Sequence, residues 1–368
     1  MKRSYIISTA LLLNTFVVNA QDADLPYTVS EFTTELSSPW GLAFLPDGKS
    51  LVTQRAGELM LLAEDGKKIG PVTGLPSVKA VGQGGMLGIA LHPDFAQNKQ
   101  VYVCVNVAGD GGAGSEVHRG VLQGQQLVDV KEIFVAKPKV DTGYHFGCRI
   151  SFDNNKLMYI SLGDRGVGKE QAQDPTVHFG KVIRVNADGS IPDDNPFVGK
   201  SGADDVFTYG HRNVQGMTKH PQTGEMWTHE HGPRGGDEIN ILSSGDNYGW
   251  PKITYGINYD GSTITNETKM EGMRQPLTYW DPSIAPSGMT FYTGDAFAEW
   301  KGDLFVGSLK FRHLRRIELD ENNTVVAQHE LLKDRNERIR DVVQGPDGNL
   351  YVLVDNVKGK ILKIAPSK

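Results

Sequence analysis

Ile339 to Asp355 reads "IRDVVQGPDGNLYVLVD". Two apolar runs flank Gly-Pro-Asp-Gly-Asn, and Asp-Gly is the chemistry of a tight turn, so the stretch is expected to form a β-hairpin. The pattern of short strand, polar turn and more apolar strand occurs five more times, as "WGLAFLPDGKSLVTQ", "LGIALHPDFAQNKQVYVCV", "FGCRISFDNNKLMYISLGD", "QGMTKHPQTGEMWTHEHG" and "SGMTFYTGDAFAEWKGDLFVGSL". The leading positions, near residues 41, 88, 147, 216, 288 and 341, lie 47, 59, 69, 72 and 53 residues apart, enough for four short strands and unequal loops. Repeats of this size read as an all-β fold, a six-bladed β-propeller, in which radial repetition leaves few exposed edges. A β-sandwich array is disfavoured because the pattern returns regularly and no linker interrupts it. Helical periodicity is nearly absent, and the best helical stretch runs near Gln171 to His178.

The chain has 368 residues, 39% hydrophobic and 22% charged, with ample material for a large core. Residues 1–20, "MKRSYIISTALLLNTFVVNA", join a basic start to an apolar run and a small-residue end, the pattern of a secretory leader cut after Ala20. Its removal would take Lys2 and Arg3 and no acid, making the formal charge of −6 two units more negative. Nucleic acid and anionic membrane surfaces are therefore poor partners. Residues 21–368 are expected to be one exported domain, and no later segment is apolar enough to span a bilayer. Cys104 and Cys148 are expected as two buried free thiols, since a domain of this size needs no staple.

Propellers bind ligands at the channel mouth, so the loops matter most. His145, between Gly143 and Gly147 in "TGYHFGCR", is either a structural hydrogen-bonding residue or a proton acceptor facing a cavity. Arg212, Lys310, Arg338 and Arg340 fall where strands should converge. Alternate residues of an extended segment point the same way, which aims Arg338 and Arg340 at one target, expected to be a multiply charged anion with the arginines unpaired in its absence. With His145, Gln83 and Asn213 nearby, a flat polycarboxylate fits better than a phosphate, because no Walker-type or Rossmann glycine pattern occurs. "EHGPRGGDEIN" resembles a backbone-carbonyl site for a hard cation, ligated or braced by Asp237 or Glu238, or else a turn capped by its own acids. His231 lacks a second histidine or cysteine at zinc spacing.

"GQGGMLGIALHPDF", "YHFGCRISFD", "ISLGDRG", "YGHRNVQGM", "EHGPRGGDEINI", "NYGWP", "IAPSGM" and "RIRDVVQGPDGNLYVL" resemble, in order, the glucose/sorbosone dehydrogenase family, most closely its soluble, periplasmic aldose sugar dehydrogenases. The resemblance covers nearly all of residues 28–366. It implies a six-bladed propeller that binds pyrroloquinoline quinone (PQQ), a tricarboxylate ortho-quinone, and oxidises the C1 hydroxyl of an aldose sugar to a lactone, passing electrons to an external acceptor. At matching positions it implies His145 as general base and Arg212 against the quinone oxygen, and Asp164 in "LGDRG" is the candidate to orient the imidazole. Gln83, Asn213, Lys310, Arg338 and Arg340 would bind cofactor, while Gly232 and Pro233 give main-chain oxygens to Ca²⁺. Tyr144 stands where some members carry an acid, and Tyr279 and Trp280 precede the "APS" motif at a different spacing from members with an aromatic pair over the cofactor.

Two other readings make different demands. A metal-dependent lactonase on a propeller needs carboxylates and amides converging on one cation, whereas this cluster is cationic. A binding module that has lost its chemistry would have replaced the histidine or the arginines, and both are present.

Overall fold

The chain closes into a ring by joining its two ends. In the computed structural model, which describes residues 27–367, the strand Tyr27–Leu36 pairs antiparallel with Gly359–Pro366 and becomes the outermost strand of the last sheet. The leader read over residues 1–20 lies outside the described residues. Six four-stranded sheets follow one another around the ring. Their inner strands are Pro39–Phe44, Met86–Leu91, Ile150–Phe152, Val214–Lys219, Pro286–Phe291 and Ile339–Gln344. These are the leading strands of the six repeats, and the architecture is the six-bladed β-propeller they foretell.

Helix is confined, among the described residues, to one α-turn at Phe95–Asn98 and three short 3-10 turns. The stretch near Gln171 shortens to a single such turn, Glu170–Gln173. Phe95–Asn98 escaped notice because four residues cannot display a helical period.

The leading glycines have a packing cause. Register shifts interrupt five of the six inner pairs at or beside the leading position, between Pro39/Gly41, Met86/Ile89, Val214/Gly216, Ser287/Met289 and Ile339/Asp341. Such bulges bend the inner strand and sharpen its twist. A Cβ on Gly88 would lie 2.1 Å from the Cys148 carbonyl oxygen of the next blade, and one on Gly288 would lie 2.6 Å from the Cα of Asp341. The neighbouring backbone occupies the space a side chain would need. Farther out the seams are apolar: Tyr102, Cys104 and Val117 of the second sheet meet Ile160 and Ile183 of the third, and Trp227 meets Phe291 edge-on at 5.2 Å.

Cys104 and Cys148 are not free thiols but a disulfide between partners 44 residues apart. Domain size was the wrong criterion. The bond joins the strand Gln100–Gly109 to the irregular segment that enters the third blade, a seam where few ladder hydrogen bonds hold the chain. Replacing both cysteines with serine should lower unfolding stability by about 2–4 kcal/mol through loss of the cross-link. Denaturant titration of the oxidised and variant chains measures this, and coincident midpoints would contradict it.

Candidate active site at the propeller mouth

The loop from Thr142 to Arg149 bends through left-handed backbone at His145, Gly147 and Cys148, with φ of 49°, 64° and 81°. For His145 and Cys148 such a conformation costs about 1–3 kcal/mol each and persists only where surroundings enforce it. Gln83 does so with both ends: its N–H donates to the Gly143 carbonyl at 2.8 Å, and its Oε1 accepts the His145 N–H at 2.9 Å. Asn213 Oδ1 accepts the Gly147 N–H at 3.2 Å. A Cβ on Gly147 would lie 2.6 Å from Leu162 Cα, so this glycine answers to the adjacent strand of its own blade.

His145 Nδ1 lies 2.6 Å from Asp164 Oδ1. The same oxygen accepts the Gly166 N–H at 2.8 Å, and Oδ2 accepts the Trp250 indole N–H at 2.8 Å. Burial works to raise the Asp164 pKa, but the His145 hydrogen bond and the charges of His145 and Arg212 outweigh it, holding the carboxyl below its ordinary value. An ionised carboxylate only accepts, so Nδ1 carries the imidazole proton and Nε2 presents a lone pair. Burial likewise drives the His145 pKa below its ordinary value; the Asp164 bond offsets part of this, and the charges of Arg212 and Arg165 add to it. The result is a neutral, oriented imidazole with 13% of its side chain exposed, which is what a proton acceptor requires.

Arg212 adjoins this pair through its carbonyl, which accepts the Asp164 N–H at 2.8 Å. Its guanidinium donates to the His231 and Gly232 carbonyls at 3.0 Å each and lies 5.4 Å from the Trp250 ring. Burial above all, with the charges of His229, Arg212 and Arg340, drives the pKa of the half-buried His231 well below its ordinary value. Its own Nε2 donates to the Pro286 carbonyl at 2.6 Å. Lys310 is exposed, with no carboxylate partner for its ammonium among the described residues. Arg338 bonds the carbonyl of neighbouring Leu309 at 3.1 Å.

The arginine pair does aim at one target, but the chain supplies it. Nη2 of Arg338 and Nη2 of Arg340 lie 2.9 and 2.8 Å from the same oxygen of Asp355, so the expectation that they stand unpaired is corrected. Alternation along the strand Ile339–Gln344 and its approach turns both toward Asp355, just past the end of the facing strand Leu350–Val354, with Arg340 half-buried and Arg338 exposed. One carboxylate cannot neutralise three cations. Arg340 Nε, moreover, is buried without any hydrogen-bond partner, a state that costs about 1–3 kcal/mol unless a ligand accepts from it.

At the "EHGPRGG" turn, Asp237 braces and does not ligate. Its Oδ1 accepts the Gly232 N–H at 2.8 Å, and its Oδ2 accepts the Ile284 and Ala285 N–H groups at 2.7 and 2.9 Å. Burial pushes its pKa up to about 6 even against these bonds. Glu238 accepts from Asn240 at 3.3 Å, and burial followed by the Glu230 charge raises its pKa well above the usual carboxylate value. The oxygens left for a cation are the main-chain carbonyls of Gly232 and Pro233, the first shared with Arg212. Trp280 is buried with its indole N–H on Gln328, whereas Tyr279 is 45% exposed and stacks on Tyr255 at 3.8 Å. Tyr144 is exposed beside His145.

Gln83, Asp164, Asn213, Arg212 and Gly232 are thus joined in one hydrogen-bonded network around the His145 loop, whereas Arg338 and Arg340 meet one another at Asp355. Trp250, Arg165 and Asp355 were not singled out, although "NYGWP" and "LGDRG" contain the first two; Trp250 is 86 residues from the aspartate it holds.

The model of the Glucose / Sorbosone dehydrogenase family matches residues 36–363. The chain belongs to the glucose/sorbosone dehydrogenase family. It is 44% identical over 340 residues to the aldose sugar dehydrogenase YliI of Escherichia coli (strain K12), covering 90% of this chain and 91% of that protein. The apo-form crystal structure of the soluble aldose sugar dehydrogenase from Escherichia coli matches with a TM-score of 0.89 at 42% identity, covering 92% of this chain and 99% of that one. The PQQ-bound aldose sugar dehydrogenase from Streptomyces coelicolor matches with a TM-score of 0.77 at 28% identity, covering 92% and 98%. The protein is an enzyme of the dehydrogenase class.

A base is active when neutral, so turnover should be lost as pH falls through the depressed His145 pKa, below the ordinary imidazole value of about 6.5. Asp164→Asn removes the partner that favours imidazolium and the acceptor that fixes the tautomer. The acid limb of kcat should move lower while the plateau falls by roughly 10² to 10⁴-fold. A pH profile with an unchanged plateau would contradict this role.

Proposed function

We propose that the protein oxidises the C1 hydroxyl of aldose sugars to lactones with bound PQQ, and passes the electrons to an external acceptor. The observation that carries this reading is a neutral His145 held by the ionised Asp164, in a chain that also presents a cationic cluster whose Arg340 Nε is buried and unpartnered. A flat tricarboxylate matches that cluster: it can accept from Arg340 Nε and neutralise Lys310 and the residual charge of the Arg338–Asp355–Arg340 group. The relatives named above as aldose sugar dehydrogenases, one of them PQQ-bound, support the same assignment.

When bound, PQQ supplies an ortho-quinone able to accept a hydride from the sugar. The chain does the rest. His145 Nε2 takes the C1 hydroxyl proton, while Asp164 stabilises the imidazolium that results. Arg212, held at Gly232 and beside Trp250, places a fixed positive charge where negative charge develops, a donor worth about 3–4 kcal/mol in comparable sites. Gln83 and Asn213 set the base loop and line the cofactor side. Gly232 and Pro233 offer hard oxygen donors to Ca²⁺, and the Asp237 brace keeps their turn rigid. No helix among the described residues is long and apolar enough to cross a membrane, and the leader pattern supports export to the periplasm with cleavage after Ala20.

Reconstitution tests this assignment. Purified apoprotein should bind PQQ saturably, more tightly with Ca²⁺ than with chelator, and then oxidise aldoses in the presence of an artificial electron acceptor. No PQQ binding would overturn the assignment, and equal affinity with and without chelator would overturn the cation.

A further inference from the structure

Arg165 follows the aspartate that orients His145, and it grips the same loop from the other side. Its Nε donates to the Tyr144 carbonyl at 3.0 Å, its Nη2 to the Thr142 carbonyl at 2.7 Å and its Nη1 to the Ala113 carbonyl of the second blade at 2.8 Å. The guanidinium carbon lies 3.6 Å from the centroid of the Phe146 ring. Thr142 returns the contact, its hydroxyl donating to the Arg165 carbonyl at 2.7 Å and lying 3.3 Å from Nη2. Arg165 itself sits in left-handed backbone, φ 60°, and is 5% exposed, with no carboxylate in ion-pair contact.

A buried guanidinium that spends its hydrogen bonds on carbonyls, with only the charge of Asp164 to offset its own, is a costly way to join two blades, and an apolar side chain would fill the space more cheaply. What distinguishes this one is its choice of partners. Thr142, Tyr144 and Phe146 bracket His145, whose own backbone is strained. We propose that Arg165 is a positioning residue for the base, clamping the carbonyls before it and the ring after it so that the imidazole keeps its Nδ1 on Asp164 and its Nε2 free. This rests on the reading of His145 as the base. A planar fork with fixed donors can satisfy carbonyls in three directions at once; an ammonium on a flexible stem cannot hold that geometry.

The charge has a second effect. The charged groups that act on His145 are Asp164, Arg212 and Arg165; the first favours the imidazolium, and the two arginines oppose it. Burial lowers the Arg165 pKa only to about 10, so it remains a cation near neutral pH. Removing it should therefore raise the His145 pKa toward the ordinary imidazole value, and replacing it with another cation should not.

The test uses the full chain with Arg165→Lys, Arg165→Gln and the milder Thr142→Val, beside His145→Gln to assign the imidazole signal. In the apoprotein, an NMR titration reads the His145 pKa; after loading with PQQ and Ca²⁺, kcat, KM, cofactor affinity and melting temperature are measured. Arg165→Lys should lower kcat by roughly 10 to 10²-fold with KM and cofactor affinity nearly unchanged and the His145 pKa at its parental value. Arg165→Gln should show the same loss together with a raised His145 pKa, and Thr142→Val a smaller loss in kcat alone. Parental kcat in Arg165→Lys or Thr142→Val would overturn the clamp. So would losses that merely track melting temperature and occupancy. Full turnover of His145→Gln at full occupancy would instead remove the base reading, an outcome separable from the Arg165 effect on the apoprotein titration.

Discussion

Arg149 lies across the propeller axis with Nη1 3.0 Å from Asp341 Oδ1, its Nε on the Gln215 carbonyl and its Nη2 on the Arg340 carbonyl. Its guanidinium carbon is 4.0 Å from the centroid of the Trp40 ring. One side chain of the third blade therefore touches the first, fourth and sixth. Breaking such a buried pair by removing one partner typically costs about 3–5 kcal/mol, because the remaining charge is stranded. The pair also has functional neighbours. Arg149 is four residues beyond His145 and next to the disulfide-bonded Cys148, while Asp341 directly follows Arg340. The hub thereby fixes the His145 loop and the strand that carries Arg340 relative to one another.

That arrangement permits an electrostatic division across a small space. On one side His145 stays neutral, since burial and two arginines lower its pKa while a single carboxylate orients it. On the other, Arg338 and Arg340 share Asp355, the Lys310 ammonium has no carboxylate partner among the described residues, and an N–H donor of Arg340 is left over. Arg212 links the His145–Asp164 pair to the Gly232 turn, its carbonyl accepting from Asp164 and its guanidinium donating to Gly232. Burial, with the charges of Arg212 and Arg165, keeps the imidazole unprotonated and therefore available as an acceptor, at some cost in its basicity.

The blade count was legible because a propeller repeats its turn chemistry and because crowding at the axis demands glycine where Gly88 and Gly288 stand. The histidine and the aspartate that holds it were legible through local motifs, although only the structure brings Nδ1 within 2.6 Å of the carboxylate, the contact from which the tautomer follows. What stayed hidden was pairing between distant residues. Alternation placed Arg338 and Arg340 on one side of a strand, but nothing in the sequence announced Asp355 as their shared carboxylate. Trp250 could not be matched to Asp164 across 86 residues, and the disulfide was missed because chain size was weighed while the proximity of two cysteines 44 residues apart was not visible. Arg165 lay in full view within "LGDRG", yet arginine after aspartate reads as a surface pair until the carbonyls it grips are seen.

The central claim is that His145 Nε2 takes the sugar's hydroxyl proton in the step that breaks the C1–H bond. Single-turnover reduction of the PQQ- and Ca²⁺-loaded enzyme by an aldose deuterated at C1, followed by absorbance in the parent and in His145→Gln at matched occupancy, isolates that step from product release. The account predicts an isotope effect in both proteins and a rate constant roughly 10² to 10⁴-fold lower in the variant. Equal single-turnover rates at equal occupancy would contradict it.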